Sequence, residues 1–170
     1  MMQNITLLAI SFIDFFYQKK IIEFLKKKNI HKMNIFFDVG AHKGESINLF
    51  LKNFKIKKII SFEASKINYN YLASKEEILK NKFKNSEIYI ENIALGAKNK
   101  KVFFKQFEES SSSTIKEINK KSKYFKRKFK LLNLWRNKKI YHKFKINVQK
   151  LSDYIKKKKI NNINFLKIDT

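Results

Sequence analysis

Asp38-Val39-Gly40-Ala41-His42-Lys43-Gly44-Glu45 gathers, in eight residues, two of the chain's three glycines and two of its 14 acidic side chains. Residues 35–39, Ile-Phe-Phe-Asp-Val, are a short β-favouring run. Residues 45–54 carry apolar side chains at 47, 49, 50, 51 and 54, the spacing of a helix. Strand, glycine-marked turn, helix is a layout that seats a nucleotide. Gly40 lets the chain leave the strand sharply. Gly44 lets backbone approach a ligand where a Cβ would obstruct it, and the amides of the helix N-terminus face that ligand. A plain structural turn accounts for the same pair of glycines.

The acids narrow the ligand. A second apolar run, 57–64, ends in Ser61-Phe62-Glu63-Ala64. Glu63 lies about 20 residues past the turn, where an acid can accept both ribose hydroxyls. A pyrophosphate-binding turn would read G-x-G-x-x-G; here the middle glycine is absent. Asp38 and Glu45 flank the loop and would repel phosphates. They favour a cationic ligand, and S-adenosylmethionine (SAM) joins adenosine to a sulfonium and an ammonium. The contact set expected is Asp38, Gly40, Ala41, His42, Gly44, Glu45, Glu63 and Ala64, with Asn92 and Ile93 after a third apolar run. Asn92 is placed to hydrogen-bond adenine, or is a turn residue using its local backbone bonds.

Aspartates occur only at 14, 38, 153 and 169. Asp38 and Asp169 fall at or near the carboxyl ends of expected parallel strands, the edge where open α/β sheets bind ligands. Asp169 is the first candidate for a catalytic base or a substrate-orienting acid. His42, inside the turn, is the second, against the plain alternative of a solvent-facing loop histidine. His31 and His142 have no such context. No partner carboxylate accompanies Asp169 and the chain has no cysteine, so no metal is expected.

Holding these groups at one edge requires an alternating chain. Runs 35–39, 57–64 and 87–95 read as strands, and 45–54 and 66–83 as helices. That β-α-β-α-β order predicts a parallel sheet with right-handed crossovers. The 57–62 strand should lie between 35–39 and 87–92, with 163–168 on the other side. Residues 100–107 suggest an extra strand, 145–151 another, 151–159 a short helix and 163–170 a buried strand. Residues 110–113 are a serine run that reads as a loop. Residues 120–144 mix lysine with aromatics, including the only tryptophan, Trp135.

The N-terminal run 5–16 lacks the flanks of a secretory signal and is too short for a bilayer needing ~20 residues. With the lysine-rich stretch after it, the run predicts one or two amphipathic helices over a sheet. Ile21, Ile22 and Leu25 would form the apolar stripe, with Lys19, Lys20 and Lys26–Lys28 solvated. Weak peripheral membrane contact through residues 5–28 is the sharper alternative. Neither repeats nor Pro/Gly linkers occur, so two segments are expected: an amphipathic helical 1–33 and one domain over 34–170.

The net charge is +25, which suits a polyanion partner. Yet only Arg127 and Arg136 are arginine, and phosphate or guanine recognition favours the arginine fork. Abundant Lys, Asn, Ile and Phe match the bias of an AT-rich genome, so no specific nucleic acid is expected. The absence of cysteine fits a reducing compartment, and a cytoplasmic location is expected.

Taken in order, FDVGAHKGES (37–46), SFEAS (61–65, with Ala64 where a proline is common), ENIALG (91–96), the serine run and FLKIDT (165–170) resemble the FkbM family of SAM-dependent methyltransferases. The resemblance spans roughly residues 34–170. It implies a Rossmann-like α/β class I methyltransferase fold with a mostly parallel sheet, and O-methylation of a hydroxyl on a sugar, glycan or small metabolite. Family members usually continue past the K-I-D tripeptide, so the resemblance implies that the C-terminal strands are missing, which puts the activity of this exact polypeptide in doubt. The rival readings are an RNA methyltransferase using the basic 120–145 segment, and a basic binding module or inactive fragment. The chain has no proline, hence no N/D-P-P-Y/F amine-methylating motif.

Overall fold

The computed structural model describes residues 16–107, 113–131 and 141–169. The apolar run before residue 16, serines 110–112, Trp135 and Thr170 lie outside the described residues. A helix over 16–27 (α1) leads to strand β1 (Lys32–Val39), helix α2 (Glu45–Asn53) and strand β2 (Lys55–Phe62). Helices α3 (Lys66–Ala73) and α4 (Glu76–Lys82) follow, then strands β3 (Glu87–Glu91), β4 (Ala94–Leu95) and β5 (Lys100–Phe107). Helix α5 (Lys123–Leu131), strand β6 (Tyr141–Gln149), helix α6 (Leu151–Lys157) and strand β7 (Phe165–Ile168) complete the described chain.

The main sheet has the order β3-β2-β1-β7, all parallel, as the alternation predicts. β1 and β2 are buried on both faces, which is why they read as continuous apolar runs. On one face Phe36, Ile59 and Ile88 pack under α1, α2, α3 and α4 through Ile22, Leu25, Phe50, Leu72 and Leu79. On the other, Phe37, Val39, Ile60 and Phe62 pack under Tyr154 of α6. Leaving Ile22 or Leu25 of α1 exposed would forgo about 1.5–3 kcal/mol each.

Four expectations need correction. The expected helix 66–83 is two helices. The Ser74 hydroxyl bonds the Tyr71 carbonyl at 2.8 Å and the Lys75 amide reaches Leu72 at 3.0 Å, a tight turn that ends α3. The 163–170 strand is not buried: Phe165–Ile168 is a sheet edge, with Leu166 and Ile168 exposed. Ile21 is likewise exposed, because its position on α1 turns it away from the face that buries Ile22 and Leu25.

The fourth concerns strand 100–107, which pairs antiparallel with β6 in a second sheet of order β4-β6-β5. Its partner β6 starts at Tyr141, four residues before the expected 145. The third glycine belongs here. A Cβ on Gly96 would come within 2.7 Å of Val148 Cγ1, and the Gly96 amide bonds Gln149 O at 3.0 Å. No helix among the described residues is long and apolar enough to cross a membrane.

Candidate active site

The first turn is tied to β2. Amides of Gly40 and Ala41 both donate to the Phe62 carbonyl, at 2.9 and 3.1 Å. Gly40 has φ 84°, His42 φ 50° and Gly44 φ 88°. Glycine accepts such angles without the Cβ strain that His42 bears. Gly44 has a second reason to be glycine, and it differs from the one expected. A Cβ there would sit 2.6 Å from Leu72 Cδ1 of α3, so the residue serves close packing of α3 against the start of α2. Ala41 is buried in the core beside these residues.

Glu63 is the hub between the two turns. Its carboxylate accepts the His42 amide on Oε2 and the Ser65 amide on Oε1, each at 2.8 Å. Its own amide donates to the Glu91 carbonyl at 3.0 Å. Burial pushes its carboxyl above the usual range. The Ser65 and His42 amides, the His42 charge and the Asn68 side chain only partly offset that. The Asn92 amide group donates to the Glu63 carbonyl at 2.8 Å and to Ala64 O at 3.4 Å. Asn92 therefore fixes the Glu63–Ala64 turn through its amide donors, the local backbone bonding that the sequence offered as the alternative to an adenine contact. Ile93 packs on the α6 side of the sheet.

At the opposite end of the edge, Asp38 is fully buried and in register with Ser61 of β2 and Lys167 of β7. Lys167 Nζ lies 3.3 Å from Asp38 Oδ1 and 3.4 Å from Asp169 Oδ2. Burial raises the Asp38 carboxyl, the Lys167 ammonium opposes this, and the net shift is upward. Asp38 Oδ2 and Ser61 Oγ have no hydrogen-bond partner among the described residues. Asp38 thus lies beneath the edge and not on it. Asp169 is the exposed member: its amide is pinned to Val39 O at 2.9 Å while its side chain is 74% exposed.

His42 and Glu45 form a local pair, Nδ1 to Oε1, at 3.3 Å. Glu45 Oε2 also accepts the Lys43 amide at 3.1 Å. Burial pushes the Glu45 carboxyl up, but the His42 ring and these amides together hold it below its usual value. The Tyr154 hydroxyl donates to Glu91 Oε1 at 2.7 Å. Burial, then the Glu91 carboxylate, raise this phenol well above its usual range, so it stays protonated. No cluster of three or more His, Cys, Asp or Glu side chains suited to a metal occurs among the described residues.

The structure therefore brings Gly40, His42, Glu45, Glu63, Ala64, Asn92 and Asp169 to the carboxyl edge of one parallel sheet, with Asp38 buried beneath it. Against that geometry, the profile of the Methyltransferase FkbM domain matches residues 38–170. The chain belongs to the FkbM methyltransferase family. No curated protein and no solved structure gives a match. The FkbM domain starts at Asp38, the last residue but one of β1, and covers the sheet edge described above.

In this methyltransferase the same edge also includes residues that the sequence did not single out. Lys167 is one; its position two residues before Asp169 on one strand, hence on the same face, was the available signal. Ser65, Asn68 and Gln106 are the others, all buried around Glu63. Ser65 caps α3, and a serine opening a helix is a readable signal. Gln106 offers none, since it comes from the second sheet.

Proposed function

We propose that this FkbM methyltransferase binds SAM at the carboxyl edge of the main sheet and methylates a hydroxyl on a glycan or small metabolite. Methyltransferases of this family generally use SAM. The observation that supports the site is Glu63. Each of its oxygens accepts one backbone amide, and a carboxylate oxygen has a second lone pair. The Asn68 side chain takes a third of the four acceptor positions, which leaves one for a ribose hydroxyl. The carboxylates of Glu45, Glu63 and Asp169 also gather at one edge of a chain whose net charge is +25. A local excess of acid suits a cationic ligand and opposes a pyrophosphate.

Bound there, SAM supplies a methyl group on a sulfonium, open to attack by an oxygen nucleophile. The chain's part is mainly placement. Glu63 holds the ribose end, with its carboxylate fixed by His42 and Ser65. The first-turn amides of α2 border the same loop. Asp169, exposed beside Lys167, orients the acceptor hydroxyl and takes its proton if the hydroxyl is poorly acidic. His42 is committed to Glu45 by its ring and to Glu63 by its amide, which leaves Asp169 the better base.

The lysine-rich surface supports only salt-sensitive, non-specific contact with nucleic acid. On α1, Tyr17, Ile21 and Phe24 form an exposed stripe beside Lys20 and Lys27. This arrangement supports weak contact with an anionic membrane surface.

Turnover tests the acceptor class. With radiolabelled SAM, total RNA and a glycan or metabolite extract, label should enter the extract and Asp169→Asn should reduce it. Label in RNA, abolished by Asp169→Asn, would instead establish the RNA methyltransferase reading.

A further inference from the structure

Gln106 belongs to the second sheet, yet its side chain ends at the Glu63 turn. It is 4% exposed and accepts a short hydrogen bond from the Ser65 hydroxyl. Ser65 is 1% exposed, and its Oγ also accepts the Asn68 amide at 3.2 Å. With its proton given to Gln106 and a lone pair given to Asn68, the Ser65 side chain is held at both ends. The Ser65 amide then points at Glu63 Oε1, 2.8 Å away. A continuous chain of hydrogen bonds therefore runs from β5 through Ser65 and Glu63 to the His42 amide.

We propose that Gln106 is a positioning residue for ribose recognition, acting through Ser65 to aim the Glu63 carboxylate. The inference rests on the SAM reading above. Its physical basis is burial. Within a closed, buried network each member has few alternative partners, so the lone pair left on Glu63 keeps one direction. The strand itself is anchored independently of this link. Gln106 is paired through its backbone with His142 of β6, and the neighbouring Lys105 ammonium bonds Glu117 Oε1 at 2.6 Å and Lys116 O at 2.9 Å. Removing the Gln106 amide group thus frees Ser65 while leaving β5 in place.

The test measures discrimination, which general loosening of the fold would not alter. Binding of S-adenosylhomocysteine and of its 2′-deoxyadenosine analogue is compared by calorimetry on the full chain. The wild type should prefer the ribose form about tenfold, the scale of one hydrogen bond to a charged group. Gln106→Met and Ser65→Ala should each reduce that preference to about twofold or less, and the double variant should reduce it no further, as expected of one shared path. Should Gln106→Met fail to fold, Ser65→Ala and Gln106→Glu carry the comparison. Gln106→Glu keeps an acceptor for the Ser65 hydroxyl and should retain the preference. Equal weakening of both ligands by Gln106→Met and Ser65→Ala, with the tenfold ratio intact, would overturn the proposal. Absence of S-adenosylhomocysteine binding by the wild type would overturn the SAM reading together with it.

Discussion

Lys167 and Asp38 face one another from neighbouring parallel strands, Nζ to Oδ1 at 3.3 Å, with Asp38 fully buried and Lys167 nearly so. The same ammonium reaches outward to Asp169 at 3.4 Å. A buried acid thereby communicates with the exposed acid at the reacting edge through one cation. Breaking a buried pair by removing one partner is costly, because the other charge stays desolvated.

Lys167→Met should therefore destabilise the fold by about 3 kcal/mol at neutral pH, a loss limited by protonation of Asp38. Asp38→Asn in the same chain should recover most of it. Guanidinium denaturation of the three variants checks this. Additive losses in the double variant would contradict the pairing.

Acid pH probes the same site. The folded Asp38 carboxyl titrates above its usual value of 3.8, chiefly from burial. Its ionised form is thus less favourable in the fold than in the unfolded chain. The stability it contributes is complete below the unfolded value and is lost as pH rises through the folded one. Asparagine carries no such proton. The stability of the wild type relative to Asp38→Asn should fall as pH rises from below 3.8 towards neutrality. A constant difference across that range would show that Asp38 titrates normally.

Gly44→Ala tests the packing role of the second glycine. The left-handed angle costs about 1–2 kcal/mol for a residue with a Cβ, and crowding against Leu72 adds about 1–3 kcal/mol. Adding Leu72→Ala should remove the crowding part only. Thermodynamic coupling between the two substitutions is the measurement, and strict additivity would contradict the packing role.

Much of the fold was legible because two local periodicities carry it. Residues 35–39 and 57–62 read as continuous apolar runs since both faces of β1 and β2 are covered. The spacing over 45–54 read as a helix because one side of α2 packs on the sheet. Glu63 was legible by its distance from the glycine turn. What escaped was non-local. Nothing near residue 106 in sequence shows that its amide meets Ser65, 41 residues away. The place of β7 beside β1 was legible in the strand order, but its exposure was not, because an apolar run looks the same at an edge as at a sheet centre. Asp38 was correctly placed at a strand end, but whether a strand-end acid points to ligand or into the core depends on its in-register neighbours.

The α1 stripe makes a membrane prediction. The full chain should float with vesicles rich in phosphatidylserine and not with phosphatidylcholine alone. Tyr17→Ser with Phe24→Ser should weaken that binding several-fold at constant net charge. Unchanged flotation would mean that lysines alone drive it, and loss of flotation at ~0.5 M salt in both proteins would accompany that result.

The central claim, that the Glu63 turn carries the cofactor, is tested most directly by calorimetric titration of S-adenosylhomocysteine into the full wild-type chain and into Glu63→Ala. The wild type should bind with one site and should not bind NAD. Glu63→Ala should weaken binding by about tenfold or more, corresponding to ~1.4 kcal/mol or above. Equal affinities in the two proteins, or preference of the wild type for NAD, would contradict it.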